Sequence, residues 1–253
     1  MQMNQNQKSW NRENKYNLDY RIGFTALNPS KGISLPAFMA MVQEASLMHT
    51  YHTPQSLKYY DDHDWAWIIT HWQVEIDELP QVGETVNIST WPVGFKGFFG
   101  ERAYEAINAE GKSILRANSN WILLNRENLK PVRPNEEIAE KYGQKHPFPI
   151  KKDFSMPKID NFNFISSHPY KVLRRDIDTN RHVNNANYLY WIYNYLPQEF
   201  YTDYSPKLLK VSYKKEMLLN DEAYIEIHQN SNEIFAIIKK DGQVATEVYI
   251  EFS

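Results

Sequence analysis

Asp178-Thr-Asn180-Arg181-His182-Val-Asn184-Asn185 runs directly into Ala186-Asn-Tyr188-Leu-Tyr-Trp191-Ile-Tyr-Asn-Tyr195. An acid, several amides and an imidazole therefore stand just ahead of a segment built from apolar and aromatic side chains. A buried helix needs one polar residue as its cap, and this stretch supplies far more. Its residue types suit a site that sets a proton acceptor and hydrogen-bond donors at the positive end of a helix. Taken singly, each has an ordinary structural reading. Asn184 or Asn185 caps the helix, Asp178 forms an Asx-turn, and His182 is a hydrogen-bonded imidazole. Their concentration before one apolar helix argues for chemistry, because polar groups beside a core cost free energy unless a partner or a function uses them.

The stretch has a counterpart upstream. Laying Tyr20 on Tyr170 without gaps brings Asn28 onto Asp178 and Ile33-Ser34-Leu35 onto Val183-Asn184-Asn185. Both halves then enter an apolar helix. With a shifted register, Thr70-His-Trp72-Gln-Val-Glu75 lies over Val211-Ser-Tyr213-Lys-Lys-Glu216. Identity is low, but the order is shared: strand, polar loop, buried helix, antiparallel strands. The first copy has Ser30 and Gly32 where the second has Asn180 and His182, so only the second can carry imidazole chemistry.

In the first copy, Ser34 and Pro36 open a helix that reaches about Tyr51, and its apolar run from Ala37 to Val42 leaves no polar face. From Trp65 the pattern turns to period two, with Ala66, Ile68, Thr70, Trp72, Val74 and Ile76 on one face. Strands are expected around 85–91, 101–107 and 113–124, separated by Gly- and Pro-bearing turns. This predicts an α+β architecture in which each half packs a long buried helix on a curved antiparallel sheet. The expected organisation is a disordered polar tail over 1–15, an N-terminal domain over 16–128, a linker over 129–164, and a C-terminal domain over 165–253 carrying the site. The linker holds five of the 13 prolines and a short helix capped by Asn135 and stopped by Gly143.

Composition limits the chemistry. Hydrophobic residues at 42% and charged residues at 23% describe a globular chain able to bury a core. A net charge of −3 weighs against wholesale nucleic-acid binding. The chain has no cysteine, which removes disulfides, thiol nucleophiles and Cys-ligated zinc. No apolar run is long enough for a membrane span, and the polar N-terminus has no signal-peptide character, so a cytoplasmic location is expected. One imidazole with two carboxylates (His182, Asp178, Glu216) is a poor zinc set, and His49-x-x-His52 reads as a helix end; no metal is expected.

At this point the sequence resembles a family, the acyl-acyl carrier protein thioesterases of plants and bacteria, from about Tyr20 to Glu251. The first half of the resemblance rests on Trp67-Ile-Ile-Thr-His-Trp-Gln-Val-Glu-Ile-Asp77, Pro80-Gln-Val-Gly-Glu-Thr-Val86 and Arg116-Ala-Asn-Ser-Asn-Trp-Ile-Leu-Leu-Asn125. The second rests on Asp176-Ile-Asp-Thr-Asn-Arg-His-Val-Asn-Asn185, Tyr188, Trp191-Ile192 and Val211-Ser-Tyr-Lys-Lys-Glu216. The resemblance implies a tandem (double) hot-dog fold, hydrolysis of fatty acyl-acyl carrier protein to free fatty acid, and no cofactor. Carried over by position, it makes Asp178, Asn180, His182 and Glu216 the catalytic set. After that last carboxylate many plant members have cysteine. Here Met217 stands there, so a Cys-His-Asn mechanism is excluded.

For the substrate, the backbone N–H groups near Asn184 and Asn185 suit a developing oxyanion. Arg174 and Arg181 suit an acidic carrier protein. From 171 to 215 there are eight cations against four acids, whereas from 60 to 110 there are two cations against ten acids. The positive stretch is the one holding the site. Met39, Met41, Met48 and the Trp-rich strand from Trp65 are candidates for an acyl tunnel, with ordinary core as the competing reading. A homodimer is compatible with all of this. Two other functions use the same scaffold: an enoyl-thioester hydratase or dehydratase, and a non-catalytic acyl-thioester sensor. Arg181 stands where the hydratase motif usually has proline, and nothing resembles the DNA-binding segment a regulator carries.

Overall fold

The computed structural model describes residues 15–28, 32–53, 57–141 and 146–253. The tail before Lys15, Ser30 and Gly143 lie outside the described residues. The first half runs β1 (Tyr16–Arg21), a 3₁₀ turn (Phe24–Ala26), α1 (Leu35–His52), α2 (Leu57–Asp62), β2 (Trp65–Ile76), β3 (Thr85–Lys96), β4 (Phe99–Ile107) and β5 (Ser113–Asn125). After α3 (Glu136–Lys141) and a 3₁₀ turn (Ile159–Asn161) the second half repeats the series. It comprises β6 (Asn163–Lys171), a 3₁₀ turn (Arg174–Asp176), α4 (Asn185–Tyr193), α5 (Gln198–Thr202), β7 (Pro206–Tyr213), β8 (Glu222–Asn230), β9 (Glu233–Lys240) and β10 (Gln243–Phe252).

All ten strands form one antiparallel sheet in the order β1-β3-β4-β5-β2-β7-β10-β9-β8-β6. The order reads as one five-strand sheet joined to a second copy through β2 and β7. Helices α1 and α4 pack against each other, and α1 also packs on β1 and β3. One apolar core runs through both halves, from Phe38 and Trp72 to Trp191 and Phe252. This is the tandem hot-dog architecture.

The gapless duplication is visible in the hydrogen bonds. Leu27 bridges Ile33 as Ile177 bridges Val183, and the caps are Ser34 for α1 and Asn184 for α4. Downstream, the shifted register does not hold. Ile33 N–H donates to Pro80 O, and Val183 N–H donates to Met217 O. Pro80 therefore answers to Met217, and Glu216 to Leu79 rather than Glu75. A shared Glu had matched two positions that the backbone ladder keeps apart.

Three other expectations need correction. Alternation along β2 breaks at a bulge between Ile69 and His71. The extra residue swaps faces, so Ile69 joins Trp72, Val74 and Ile76 in the core while Ala66 and Ile68 do not. β3 continues past Pro92, because a register shift between Pro92 and Gly94 accommodates a residue without an N–H. α4 is only 9 residues long, half of α1 at 18. Pro197 lies just beyond it, and the residue before a proline is pushed out of helical geometry.

Residues 146–162 cross the sheet face opposite the helices and close its polar groups. Gln73 Nε2 donates to Lys151 O, Asn118 Nδ2 to Ile150 O and Trp91 Nε1 to Pro147 O. Lys210 Nζ, from the second half, donates to Asp153 Oδ2 at 2.7 Å. The proline-rich segment shows no single apolar period because it docks in two ways, first through backbone carbonyls of Pro147, Ile150 and Lys151 and then through the side chains of Met156, Ile159 and Phe162.

Candidate active site

β2 pairs with β5 along its whole length, but with β7 only from Glu75 to His71. β7 ends at Tyr213 and the chain turns away through Lys214, Lys215 and Glu216. The start of β2 is thus left with one neighbour, and a gap opens in the seam between the halves. A cleft of about 1190 Å³ occupies this gap. It brings together Asp178, Asn180, His182, Asn184, Asn185 and Glu216. Arg174 and Arg181 are exposed and do not line it.

The polar loop is held by its own acid. Asp178 Oδ1 accepts from Asn180 N–H at 2.7 Å and His182 N–H at 3.4 Å, while Asp178 N–H donates to His182 O. Arg181 sits at φ 68°, in the left-handed region, which lets the loop close this tightly. The loop is pinned across the cleft by a bridge between His182 and Leu218, two residues after Glu216. That bridge sets His182 Nδ1 at 3.4 Å from Glu216 Oε2. This is beyond the roughly 2.7–3.2 Å of a well-formed bond, as catalytic contacts often are before substrate binds. The imidazole faces Glu216, while the Asp178 carboxylate serves the loop.

At the start of α4 most N–H groups are already engaged. Val183 donates to Met217 O, Asn184 to Asp176 O, Ala186 to Asn184 Oδ1 and Asn187 to Asn184 O. Asn185 N–H, among the described residues, meets no acceptor. Tyr213 O–H donates to Asn185 O at 2.9 Å and so ties the end of β7 to the helix start. Burial pushes the Tyr213 phenol well above its ordinary pKa. Burial does the same at Tyr188, reinforced by the charges of Glu216, Asp221 and Asp178. Both rings enter the cleft wall as neutral phenols.

Beside the cleft lies a smaller recess of about 120 Å³ with aromatic walls, including Tyr60, Trp65, Trp67, Phe95 and Trp121. Leu47, Trp67, Trp121, Arg126 and Asn180 line both spaces. None of Met39, Met41 and Met48 lines either, and Met39 is in the core. Among the described residues no three His, Cys, Asp or Glu side chains converge as a metal set.

The family profile for the acyl-ACP thioesterase N-terminal domain matches residues 13–142, and that for the C-terminal domain matches residues 160–253. The chain belongs to the acyl-ACP thioesterase family. The oleoyl-acyl carrier protein thioesterase 2 of Arabidopsis thaliana is 28% identical over 166 residues, 61% of this chain and 45% of that protein. An acyl-[acyl-carrier-protein] hydrolase of Cuphea viscosissima is 28% identical over 215 residues, 78% of this chain and 51% of its own length. The chain thus spans about half the length of the curated relatives it matches. Two solved structures share the fold. An acyl-ACP thioesterase from Bacteroides thetaiotaomicron superposes with a TM-score of 0.84 at 21% identity, covering 94% of this chain and 98% of that one. A 12:0-ACP thioesterase from Umbellularia californica gives 0.81 at 16% identity, covering 94% and 97%.

Several residues of this thioesterase-family cleft do not stand out as site residues in the sequence, although Asp176, Tyr188 and Tyr213 lie in the stretches that carry the resemblance. Tyr188, Tyr213 and Arg126 line the cleft, and Asp176 lies behind it, its carbonyl oxygen accepting from Asn184 N–H and Asn187 Nδ2 at the start of α4. Asp176 is 3% exposed and accepts from Tyr170 O–H, Leu173 N–H and Trp191 Nε1. Its place two residues before Asp178 was the available signal, but the letter alone does not tell a buried acid from a reactive one.

Proposed function

We propose that the protein hydrolyses the thioester between a fatty acyl chain and acyl carrier protein, releasing free fatty acid. The observation that carries this reading is the facing of Glu216 and His182 across a cleft that also holds the uncommitted N–H of Asn185 and opens on an aromatic recess. Family membership supports the substrate class.

In the reaction, water attacks the thioester carbon. Glu216 takes the water proton, and His182, in contact with it, shares that proton. Negative charge gathers on the carbonyl oxygen, where Asn185 N–H and the positive end of α4 receive it. The Asn180 amide, which does not titrate, orients the water or the thioester. When the intermediate collapses, the carbon–sulfur bond breaks and the pantetheine sulfur leaves with a proton returned from the Glu216–His182 pair. Asp178 keeps the loop in shape. Met217 cannot serve as a nucleophile, so no acyl-enzyme is formed there.

The test is to offer the purified protein saturated and enoyl thioesters of the carrier protein. Free thiol should appear from both. Loss of the enoyl chromophore without thiol release would instead identify a hydratase.

A further inference from the structure

Gly100 stands in β4 directly between two aromatic cross-strand partners, Phe95 and Trp121. Glycine weakens a strand, and φ here is not in the left-handed region, so the backbone does not call for it. The reason is a ring. A Cβ at position 100 would come within 3.1 Å of Trp67 Cη2 and Cζ3, and within 3.3 Å of Phe95 Cε1. Trp67 lies on the bare backbone of Gly100, with Phe95 beside it at 6.0 Å between ring centroids.

On its other sides Trp67 borders empty space, since it lines both the cleft and the recess. Its indole N–H is buried and finds no hydrogen-bond acceptor among the described residues. Packing alone therefore holds the ring, and pressure from below would drive it into the cavities. We infer that Trp67, seated on Gly100, is the partition between the thioester cleft and the recess, and that this pair sets the length of acyl chain accepted. The inference rests on the proposed thioester reaction and specifies its substrate. A chain short enough to end in the cleft does not have to pass the ring; a longer one must pass it to reach the aromatic recess.

Two variants act in opposite senses. Gly100→Ala lifts the ring and narrows the passage, whereas Trp67→Leu removes the partition. The experiment measures binding of straight-chain fatty acids from butyrate to palmitate by calorimetry, and kcat/KM for the matching carrier-protein thioesters. Gly100→Ala should move the preferred length down by at least one two-carbon step. It should also lower the long-to-short ratio by about 10-fold, the scale of a methylene misfit in an apolar pocket. Trp67→Leu should move the preference towards longer chains, and it carries the test alone if Gly100→Ala does not fold. Wild-type length profiles in the folded variants would overturn the inference and place the tail along Ile68, Ile122 and Leu124 in the cleft wall. Because binding needs no turnover, a protein that sorts fatty acids as expected but releases no thiol would sink the proposed reaction and leave the partition standing.

Discussion

At the scale of single residues, Asp176 and Asp178 show how one letter takes two roles. Asp178 accepts from backbone N–H groups at the cleft, whereas Asp176 is buried against a phenol, an amide and an indole, all of them donors. Asp176→Asn keeps the shape but turns an NH₂ towards those donors. It should cost about 2–4 kcal/mol in chemical denaturation, the scale of disrupting a buried charge-assisted network. An unchanged denaturation midpoint would contradict this role. The sequence made Asp178, Asn180, His182 and Glu216 visible because acids, amides and an imidazole so close to an apolar helix are hard to explain by packing. It could not distinguish Asn184 from Asn185, because what separates them is which backbone N–H the fold has already engaged.

At the scale of elements, α1 was legible from its Ser34 cap and its apolar run, yet it carries one buried titratable group. His49 is 2% exposed, stacks on Tyr16 and accepts from Arg102 Nη1 at 2.9 Å. Burial, then the charges of Arg102 and His52, hold its pKa down at about 2, against 6.5 for an ordinary imidazole. The folded protein thus keeps His49 neutral where the unfolded chain protonates it, so its contribution is complete above pH 6.5 and is lost as pH falls below. The loss approaches about 1.4 kcal/mol per pH unit, or about 2–3 kcal/mol by pH 4.5. His49→Gln, which can still accept from Arg102, should show a flatter stability curve over that window. Parallel curves for variant and wild type would contradict the account. The elements that sequence patterns misjudged were those governed by hydrogen-bond register: the bulge in β2, the passage of β3 through Pro92, and the alignment of Glu216. Periodicity reports which face is apolar and not where an extra residue is inserted.

At the scale of the whole molecule, duplication was readable from the shared order of elements, and the position of the site follows from it. The two copies join at β2 and β7, and the early end of β7 opens the seam that only the second copy furnishes with an imidazole. What lay beyond a linear reading is that residues 146–162 bind both copies from the opposite face, with Asp153 held well below the usual carboxylate range by Lys210 and Ser155. The cations of the second copy differ in how they are held. Lys210 and Lys214 are paired, to Asp153 and Glu247, but among the described residues Arg174 and Arg181 have no ion-pair partner and remain exposed beside the polar loop. An acidic carrier protein would be steered to that rim. Carrier-bound substrate should be preferred over the coenzyme A thioester, with kcat/KM falling as salt rises. Arg174→Glu or Arg181→Glu should raise KM for the carrier-bound substrate more than for the coenzyme A one. Equal effects on both would assign these cations to the loop or to a phosphate. The central claim, that the Glu216–His182 pair at the seam activates water against a thioester, is tested most directly by thiol release from acyl carrier protein thioesters by Glu216→Gln beside His182→Ala. With native circular dichroism retained, each should lose at least about 10²-fold in kcat/KM; near-normal hydrolysis by a well-folded Glu216→Gln protein would contradict it.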